Sequence, residues 1–311
     1  MRIFKNEKNS LVEVTPSTFR LEKDIQNLIE LNTQEIFGLT FIKSEFSIGE
    51  YRIDTLCYDM ETNSFVIIEY KKGSSYSVID QGYSYLSIML NNKSDFILEF
   101  NESTNGTLKR NDVDWTQSRI IFVSPSFNSY QKNSVNFKDV PFELFEIQKF
   151  ENNTISLNQI ISKSTESINK ISKSSSSVVN KVNEEVRVYE ETDYLKIIKK
   201  DLVEPYKKLK DKILSLDGVE IKFTRMYVNF WINGKVIVYV SRIKGGKVSV
   251  DIVSGSGGNK NPFIMDDPKS YFKEWVDSRN QKTYYHHLNN NDSIEYLLMM
   301  IEQKYNHILG K

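Results

Sequence analysis

The stretch from Arg52 to Lys72 constrains this chain more than any other. Arg52-Ile53-Asp54-Thr55-Leu56-Cys57-Tyr58-Asp59 and Phe65-Val66-Ile67-Ile68-Glu69-Tyr70 are apolar, β-branched-rich runs joined across a short polar segment, Met60-Glu61-Thr62-Asn63-Ser64. That pattern predicts a β-hairpin. The second run is apolar as far as Ile68, which predicts a strand buried on both faces. It then turns charged. Side chains alternate along a strand, so Glu69 and Lys71 project from one face and Tyr70 from the other. Asp54, in the partner run, is placed to face them. A Glu-x-Lys tripeptide alone is equally satisfied by a surface ion pair, so its neighbours decide its meaning.

Upstream, Leu11-Val12-Glu13-Val14 reads as an edge strand, and Thr15-Pro16-Ser17-Thr18 as a helix start. Leu21, Ile25, Leu28 and Ile29 recur at helical spacing, and Glu22 lies beside that stripe. Leu39 to Phe46 reads as a strand. Downstream, Val78, Ile79, Tyr83, Leu86, Met89 and Leu90 predict a helix within Ser74 to Leu90. Phe96-Ile97-Leu98-Glu99-Phe100 and Arg119 to Ser124 read as strands, separated by a polar, Asn-rich loop. Phe142 to Ile147 alternates apolar and polar and is expected to be the last strand of this part. Helices interleaved with such strands give an α/β domain with a mixed sheet.

The acid followed by Glu69-Tyr70-Lys71 at the end of a buried strand resembles the catalytic core of the PD-(D/E)xK nuclease superfamily. Asp54 matches the motif aspartate, although no proline precedes it, and Glu69-Tyr70-Lys71 matches the (D/E)xK. The superfamily's first acid sits on a helix before the aspartate strand. Glu22 matches it best and Glu30 less well. Gln81-Gly82-Tyr83-Ser84-Tyr85 resembles the Gln-x-x-x-Tyr element of RecB-like members, and the whole order looks like the catalytic domain of NucS-type mismatch endonucleases. The resemblance implies a mixed-sheet nuclease core over residues 1–150. It also implies an endonuclease dependent on Mg²⁺ or Mn²⁺ that hydrolyses phosphodiester bonds, foremost in DNA, with RNA left open, in repair, restriction or phage defence. Asp54, Glu69 and the Tyr70 carbonyl are the implied metal ligands, oxygen donors suited to a hard cation. Lys71 would orient the attacking water or stabilise the pentavalent phosphate. Glu22 would hold a metal-bound water or a second ion, and Gln81 and Tyr85 would position phosphate or base. A catalytically silent member serving as a nucleic-acid-binding or assembly module stays open beside this reading.

At 311 residues, with 39% hydrophobic and 12% aromatic content, the chain has material for two ordinary cores. Its 41 basic and 41 acidic residues balance, so nucleic-acid binding would need a local basic face rather than a global field. The lone Cys57 excludes an internal disulfide and suits a reducing cytoplasm, where a strand cysteine is expected to be buried and inert. No apolar signal region begins the sequence, and no run approaches the roughly 20 residues of a membrane span, so no membrane partner is expected.

Residues 151–190 are rich in Ser, Lys and Asn and read as a linker, with Ser174 to Ser177 low in complexity. Beyond it, Tyr194 to Leu214 predicts one long amphipathic helix with Pro205 as a kink. Four short strands between Gly218 and Val253 are punctuated by Asn233-Gly234 and Gly245-Gly246. Asp266-Asp267-Pro268 reads as a helix start, and Ile294 to Tyr305 as a final helix. Thr224-Arg225-Met226-Tyr227, Asp266-Asp267-Pro268 and Ser293-Ile294-Glu295-Tyr296 resemble a small domain of unknown function once labelled a predicted transport protein. With no apolar span, that label is set aside. Residues 191–311 are therefore expected to form a separate small α+β domain for partner or substrate recognition, binding a protein or ligand. A homodimer remains open. His286 and His287 are adjacent, point apart on an extended segment, and lack metal-ligand spacing.

Overall fold

The apolar hairpin becomes the middle of a mixed sheet. The computed structural model describes residues 2–72, 77–162, 164–168, 177–255, 262–276 and 282–310, and the chain divides into two compact units, Met1–Val188 and Tyr189–Lys311. In the first unit an exposed hairpin, β1 (Phe4–Glu7) and β2 (Ser10–Glu13), precedes the short β3 (Pro16–Ser17). Helices α1 (Glu22–Glu30) and α2 (Thr33–Phe37) follow, then β4 (Thr40–Ile48), β5 (Tyr51–Asp59) and β6 (Ser64–Tyr70). Helices α3 (Val78–Asn91) and α4 (Lys93–Thr104) lead to β7 (Arg119–Ser124), α5 (Ser129–Ser134), β8 (Phe142–Phe150) and β9 (Ile155–Ile160). Helix α6 (Ser177–Glu185) completes the unit.

The strand order is β3-β8-β7-β6-β5-β4, with β9 also on β8. The β4–β5 and β5–β6 pairs are antiparallel, and β6–β7 and β7–β8 are parallel. Every residue of β6 is buried, as expected for a central strand. Its alternation sorts the two cores. Phe65 and Ile67 join Tyr85, Leu86 and Met89 of α3 and Phe96 of α4 on one face. Val66, Ile68 and Tyr70 join Ile25 and Ile29 of α1 on the other. Cys57 is buried on this second face, and burial pushes its thiol up, away from the reactive thiolate.

Four expectations for the first unit need correction. The helix after Thr15 starts only at Glu22, because Pro16 and Ser17 pair with Phe150 and Lys149 instead. The expected strand Phe96–Phe100 is helical. Phe96 and Phe100, four residues apart, are buried while Leu98 is 56% exposed, which is helical and not strand spacing. β8 is not the last strand, since β9 pairs with it from Leu144↔Ile160 to Lys149↔Ile155. The expected linker 151–190 thus contributes β9 and α6 to this unit, with Ile168, Val182 and Val186 buried in its core. Apolar residues spaced sparsely among Ser and Lys still suffice to anchor such a segment on the core. Ser174–Ser176 lie outside the described residues.

The second unit has α7 (Glu191–Ile197), α8 (Val203–Leu214), β10 (Glu220–Phe223), β11 (Tyr227–Ile232), β12 (Lys235–Ile243), β13 (Lys247–Gly255), β14 (Lys273–Val276), β15 (Lys282–His287) and α9 (Ile294–Leu309). Its strands pair antiparallel in the order β10-β11-β12-β13-β15-β14. The helices pack on one face through Tyr206, Leu209, Ile213, Leu297, Met300 and Ile301. This unit is α+β.

Two expectations fail here as well. The long helix is broken at Ile198, whose backbone is extended, while Pro205 sits in the first turn of α8, where a missing N–H costs nothing. Asp266-Asp267-Pro268 forms a turn and not a helix start. Asp267 accepts from Phe272 N at 2.7 Å and from the Tyr296 hydroxyl at 2.5 Å, so its carboxylate ties the turn to α9. Among the described residues, no helix is long and apolar enough to cross a membrane.

Candidate active site

The β5–β6 register pairs Thr55 with Ile68 and therefore sets Asp54 opposite Glu69. Asp54 Oδ2 accepts a hydrogen bond from Tyr70 N at 3.1 Å, which holds this carboxylate against the backbone of the Glu69-Tyr70-Lys71 triplet. Glu69 Oε1 accepts from Lys71 Nζ at 2.9 Å and from Gln81 Nε2 at 2.6 Å. Gln81 also reaches the Tyr85 hydroxyl at 3.2 Å, and that hydroxyl donates to the Arg52 carbonyl at 3.2 Å. Glu69, Lys71, Gln81 and Tyr85 are therefore one bonded group, and Asp54 joins it through the Tyr70 peptide between Glu69 and Lys71.

Glu69 is only 3% exposed, so it is no surface ion pair. Its Oε2 is buried without a hydrogen-bond partner among the described residues. Burial, then the neighbouring Asp54 charge, pushes the Glu69 carboxyl up to about 7, against the opposing pull of Lys71 and Gln81. Burial also pushes Asp54 up; Tyr70 N–H and Lys71 oppose the rise, while Glu45 and Glu22 add to it. Such a pair is short of positive charge, the electrostatic condition a divalent cation relieves.

Glu22 is not bonded to that group, although its charge reaches Asp54. It lies at the start of α1 and accepts a hydrogen bond from Lys72 N, just past the triplet, while Lys72 Nζ donates to the Arg20 carbonyl. Glu22 thus anchors the chain leaving β6. Glu30 is farther off and serves the sheet's other face, accepting from Thr55 Oγ1 at 2.6 Å and Gln26 Nε2 at 2.8 Å. The Tyr70 hydroxyl joins Thr55 there at 3.2 Å.

Two residues escape sequence reasoning. Gln26, 4% exposed, donates to the Asp54 carbonyl at 2.9 Å and fixes the aspartate strand from behind. A polar residue next to Ile25 on the apolar stripe was the available signal. Glu45 lies across from Asp54 in the β4–β5 register, in a left-handed backbone with φ 53°, and pairs with Lys23 at 2.9 Å and Arg52 at 2.8 Å. No sequence signal marks that conformation, since glutamate rarely adopts it.

As to a metal, the described residues hold no group of three or more His, Cys, Asp or Glu able to bind one. Two hard carboxylates, one with a buried unpartnered oxygen, beside the Tyr70 peptide are nevertheless a donor set that fits Mg²⁺ or Mn²⁺, which keep waters in their other positions.

Fold and site together define a mixed α/β protein whose central hairpin presents a desolvated carboxylate pair bonded to a lysine and a glutamine. The chain belongs to the same family as a Haemophilus influenzae protein described as uncharacterized, with 40% identity over 310 residues that cover 97% of this chain and 99% of that one. Residues 190–307 match the family described as a domain of unknown function (DUF5655), which places that domain over the second unit. Among solved structures, the chain is similar to EndoMS in a complex with double-stranded DNA, with 21% identity, TM-score 0.27, and coverage of 38% of this chain and 43% of that one. It is also similar to a repair endonuclease from Pyrococcus abyssi, with 20% identity, TM-score 0.23, and coverage of 39% and 45%. The chain spans less than half the length of those two structures.

Proposed function

We propose that this chain is a metal-dependent endonuclease of the PD-(D/E)xK type that hydrolyses phosphodiester bonds in DNA. The observation that supports it is the bonded group of Glu69, Lys71 and Gln81, with a buried, unpartnered Glu69 oxygen and Asp54 held beside it on the Tyr70 N–H. Burying a carboxylate costs several kcal/mol in general unless it is paired, and a purely structural hairpin gains nothing from setting two of them side by side. Asp54, Glu69 and the Tyr70 carbonyl would hold Mg²⁺ or Mn²⁺, which when bound supplies charge neutralisation and a more acidic water. Lys71, steadied by Glu69, presents its ammonium to the scissile phosphate and offsets charge that grows in the transition state. Gln81 orients the Glu69 carboxylate, and Tyr85 orients Gln81. Glu22 positions the backbone after Lys71. The second unit selects a partner or substrate, and the cleavage residues all precede it.

The test is a cleavage assay of the full chain on linear, supercoiled, single-stranded and mismatched DNA and on RNA, with Mg²⁺, Mn²⁺ or EDTA. Metal-dependent cleavage that vanishes in folded Asp54→Asn and Glu69→Gln variants is the expected result. Binding without cleavage under every condition would leave the chain a nucleic-acid-binding module, and cleavage unchanged by both substitutions would place the chemistry elsewhere.

A further inference from the structure

The sheet of the second unit has one face covered by its helices, into which Val238, Val240, Val250, Ile252 and Tyr284 pack. Alternation turns Tyr239, Asp251 and Tyr285 to the opposite face. Pairing then sets them in one row across three strands: Tyr239 lies opposite Asp251 on β12 and β13, and Asp251 opposite Tyr285 on β13 and β15. With Ser249, Trp275 and His287 they line a cavity of about 410 Å³. The aromatic wall is continuous with its surroundings. Tyr239 packs edge-on against Tyr227 at 5.5 Å between centroids, and Tyr285 lies 5.5 Å from the His287 ring.

The register thus sets one carboxylate between two aromatic side chains on adjoining strands. Burial pushes the Asp251 carboxyl up, while the Ser249 and Ser241 hydroxyls and the nearby His287 oppose the rise. Among the described residues no lysine or arginine pairs with Asp251. Lys273, opposite Tyr285, does not line the cavity. The cavity therefore offers one desolvated negative charge and several aromatic surfaces, with space for a group of several heavy atoms. Simple metal ions want more oxygen donors than this, and anions are repelled. A cation with a low hydration cost and an apolar coat satisfies both the carboxylate and the rings.

We propose that this cavity binds an organic ammonium group, with Asp251 as its counter-charge and Tyr239, Tyr285 and Trp275 as its aromatic walls. The proposal is independent of the nuclease reading. It gives the second unit a ligand of defined chemistry, carried either by a small amine or by a lysine side chain of a protein.

The experiment follows the indole N–H resonance of Trp275 in the full chain, assigned with Trp275→Phe, during titration with tetramethylammonium. Neopentyl alcohol serves as a neutral probe of nearly the same shape, and Nα-acetyl-lysine amide as the peptide-borne source. A saturable shift with tetramethylammonium is expected, weakened about tenfold or more in Asp251→Asn and for the neutral alcohol, the scale of a desolvated charge with cation–π support. Tighter binding of either ammonium probe than the other supports the site and identifies the source. Equal binding of the neutral alcohol would overturn the proposal, as would an absent shift or an unaltered affinity in Asp251→Asn. The comparison of cation with alcohol needs only the unaltered protein, so the outcome stands even if Asp251→Asn does not fold.

Discussion

Glu69 makes a stability prediction that can be worked through without any substrate. Its folded carboxyl binds a proton more tightly than the ordinary glutamate, at about 7 rather than 4.5, chiefly because it is buried and secondly because Asp54 is beside it. The sign follows from linkage: the folded protein holds more protons than the unfolded one between these values. The contribution is therefore fully present below about pH 4.5 and is lost as pH rises through 7. A displacement of this size corresponds to about 3 kcal/mol. Glu69→Gln has no such titration. It also places an amide N–H where Oε2 has no partner, a cost of about 1–3 kcal/mol that does not vary with pH. The stability of the wild type minus that of Glu69→Gln should thus fall by about 3 kcal/mol between pH 4.5 and pH 8. Taking the difference cancels the groups that titrate alike in both proteins, which leaves Glu69 and its coupling to Asp54.

The assay is urea unfolding in EDTA across that pH range, followed by Trp115 emission in a W231F/W275F background, so that the first unit alone reports. Parallel curves, differing by a constant at every pH, would refute the reasoning. A second arm adds Mg²⁺ or Mn²⁺ at pH 7.5. Ligand at a hundred times its dissociation constant stabilises by about 2.7 kcal/mol, and Glu69→Gln should lose most of this gain. Asp54→Asn should lower the Glu69 pKa, because it removes the second cause of the rise.

Lys71→Ala should leave metal-induced stabilisation nearly intact while reducing cleavage by two or more orders of magnitude if, as proposed, the ammonium acts on the transition state; single-turnover kinetics beside the thermal shift separate the two. Gly82→Ala would bring a Cβ within 2.5 Å of the buried Phe142 ring, so it should cost about 1–3 kcal/mol and move α3, carrying Gln81 away from Glu69; a urea midpoint and cleavage rate read both effects. Ending the chain at Glu151 removes β9 and the buried Ile168, Val182 and Val186, and the burial lost with those three side chains is about 5 kcal/mol in all. Residues 1–188 should unfold cooperatively in urea, and residues 1–151 should not.

The hairpin and the residues on it were legible in the sequence because two local periods coincide there. An unbroken apolar run specifies a buried strand, and alternation then fixes which faces Glu69, Tyr70 and Lys71 occupy. Gln81 was legible only through the resemblance, since its bond to Glu69 depends on how α3 crosses the sheet. The strand expected at Phe96–Phe100 failed for a related reason. Five consecutive residues fit both periods poorly, and the choice was made by Phe96 and Phe100 finding one core. The linker reading failed because composition averages over a window, whereas burial of Val182 and Val186 needs only two positions, one on α6 and one just past its end. Asp251 shows the same limit. Nothing in Val250-Asp251-Ile252 marks its neighbours, because Tyr239 and Tyr285 reach it through pairing that is set far along the chain.

What the sequence leaves implicit about the candidate site is the way opposite sides of the sheet share its support. Glu69 is held from the α3 side by Gln81, while the Asp54 strand is held from the α1 side by Gln26 through its backbone carbonyl. Asp54 and Glu69 are thus fixed by bonds that involve different faces and different helices. Their mutual repulsion cannot be relieved by moving one strand without breaking the Tyr70 N–Asp54 bond that joins them. Two outlets remain: a proton on the pair or a cation at the unpartnered oxygen. Burial raises the carboxyl pKa values, and the rigidity that keeps the two groups together leaves a cation as the other way to relieve them. Gln26→Leu discriminates this view from passive burial. It keeps the side-chain volume but frees the Asp54 carbonyl, so metal-induced stabilisation should weaken, measured by thermal shift against Mn²⁺, while Lys71 and Glu69 remain in place. Equal metal stabilisation in folded Gln26→Leu and wild type would show that the support from α1 has no bearing on the site.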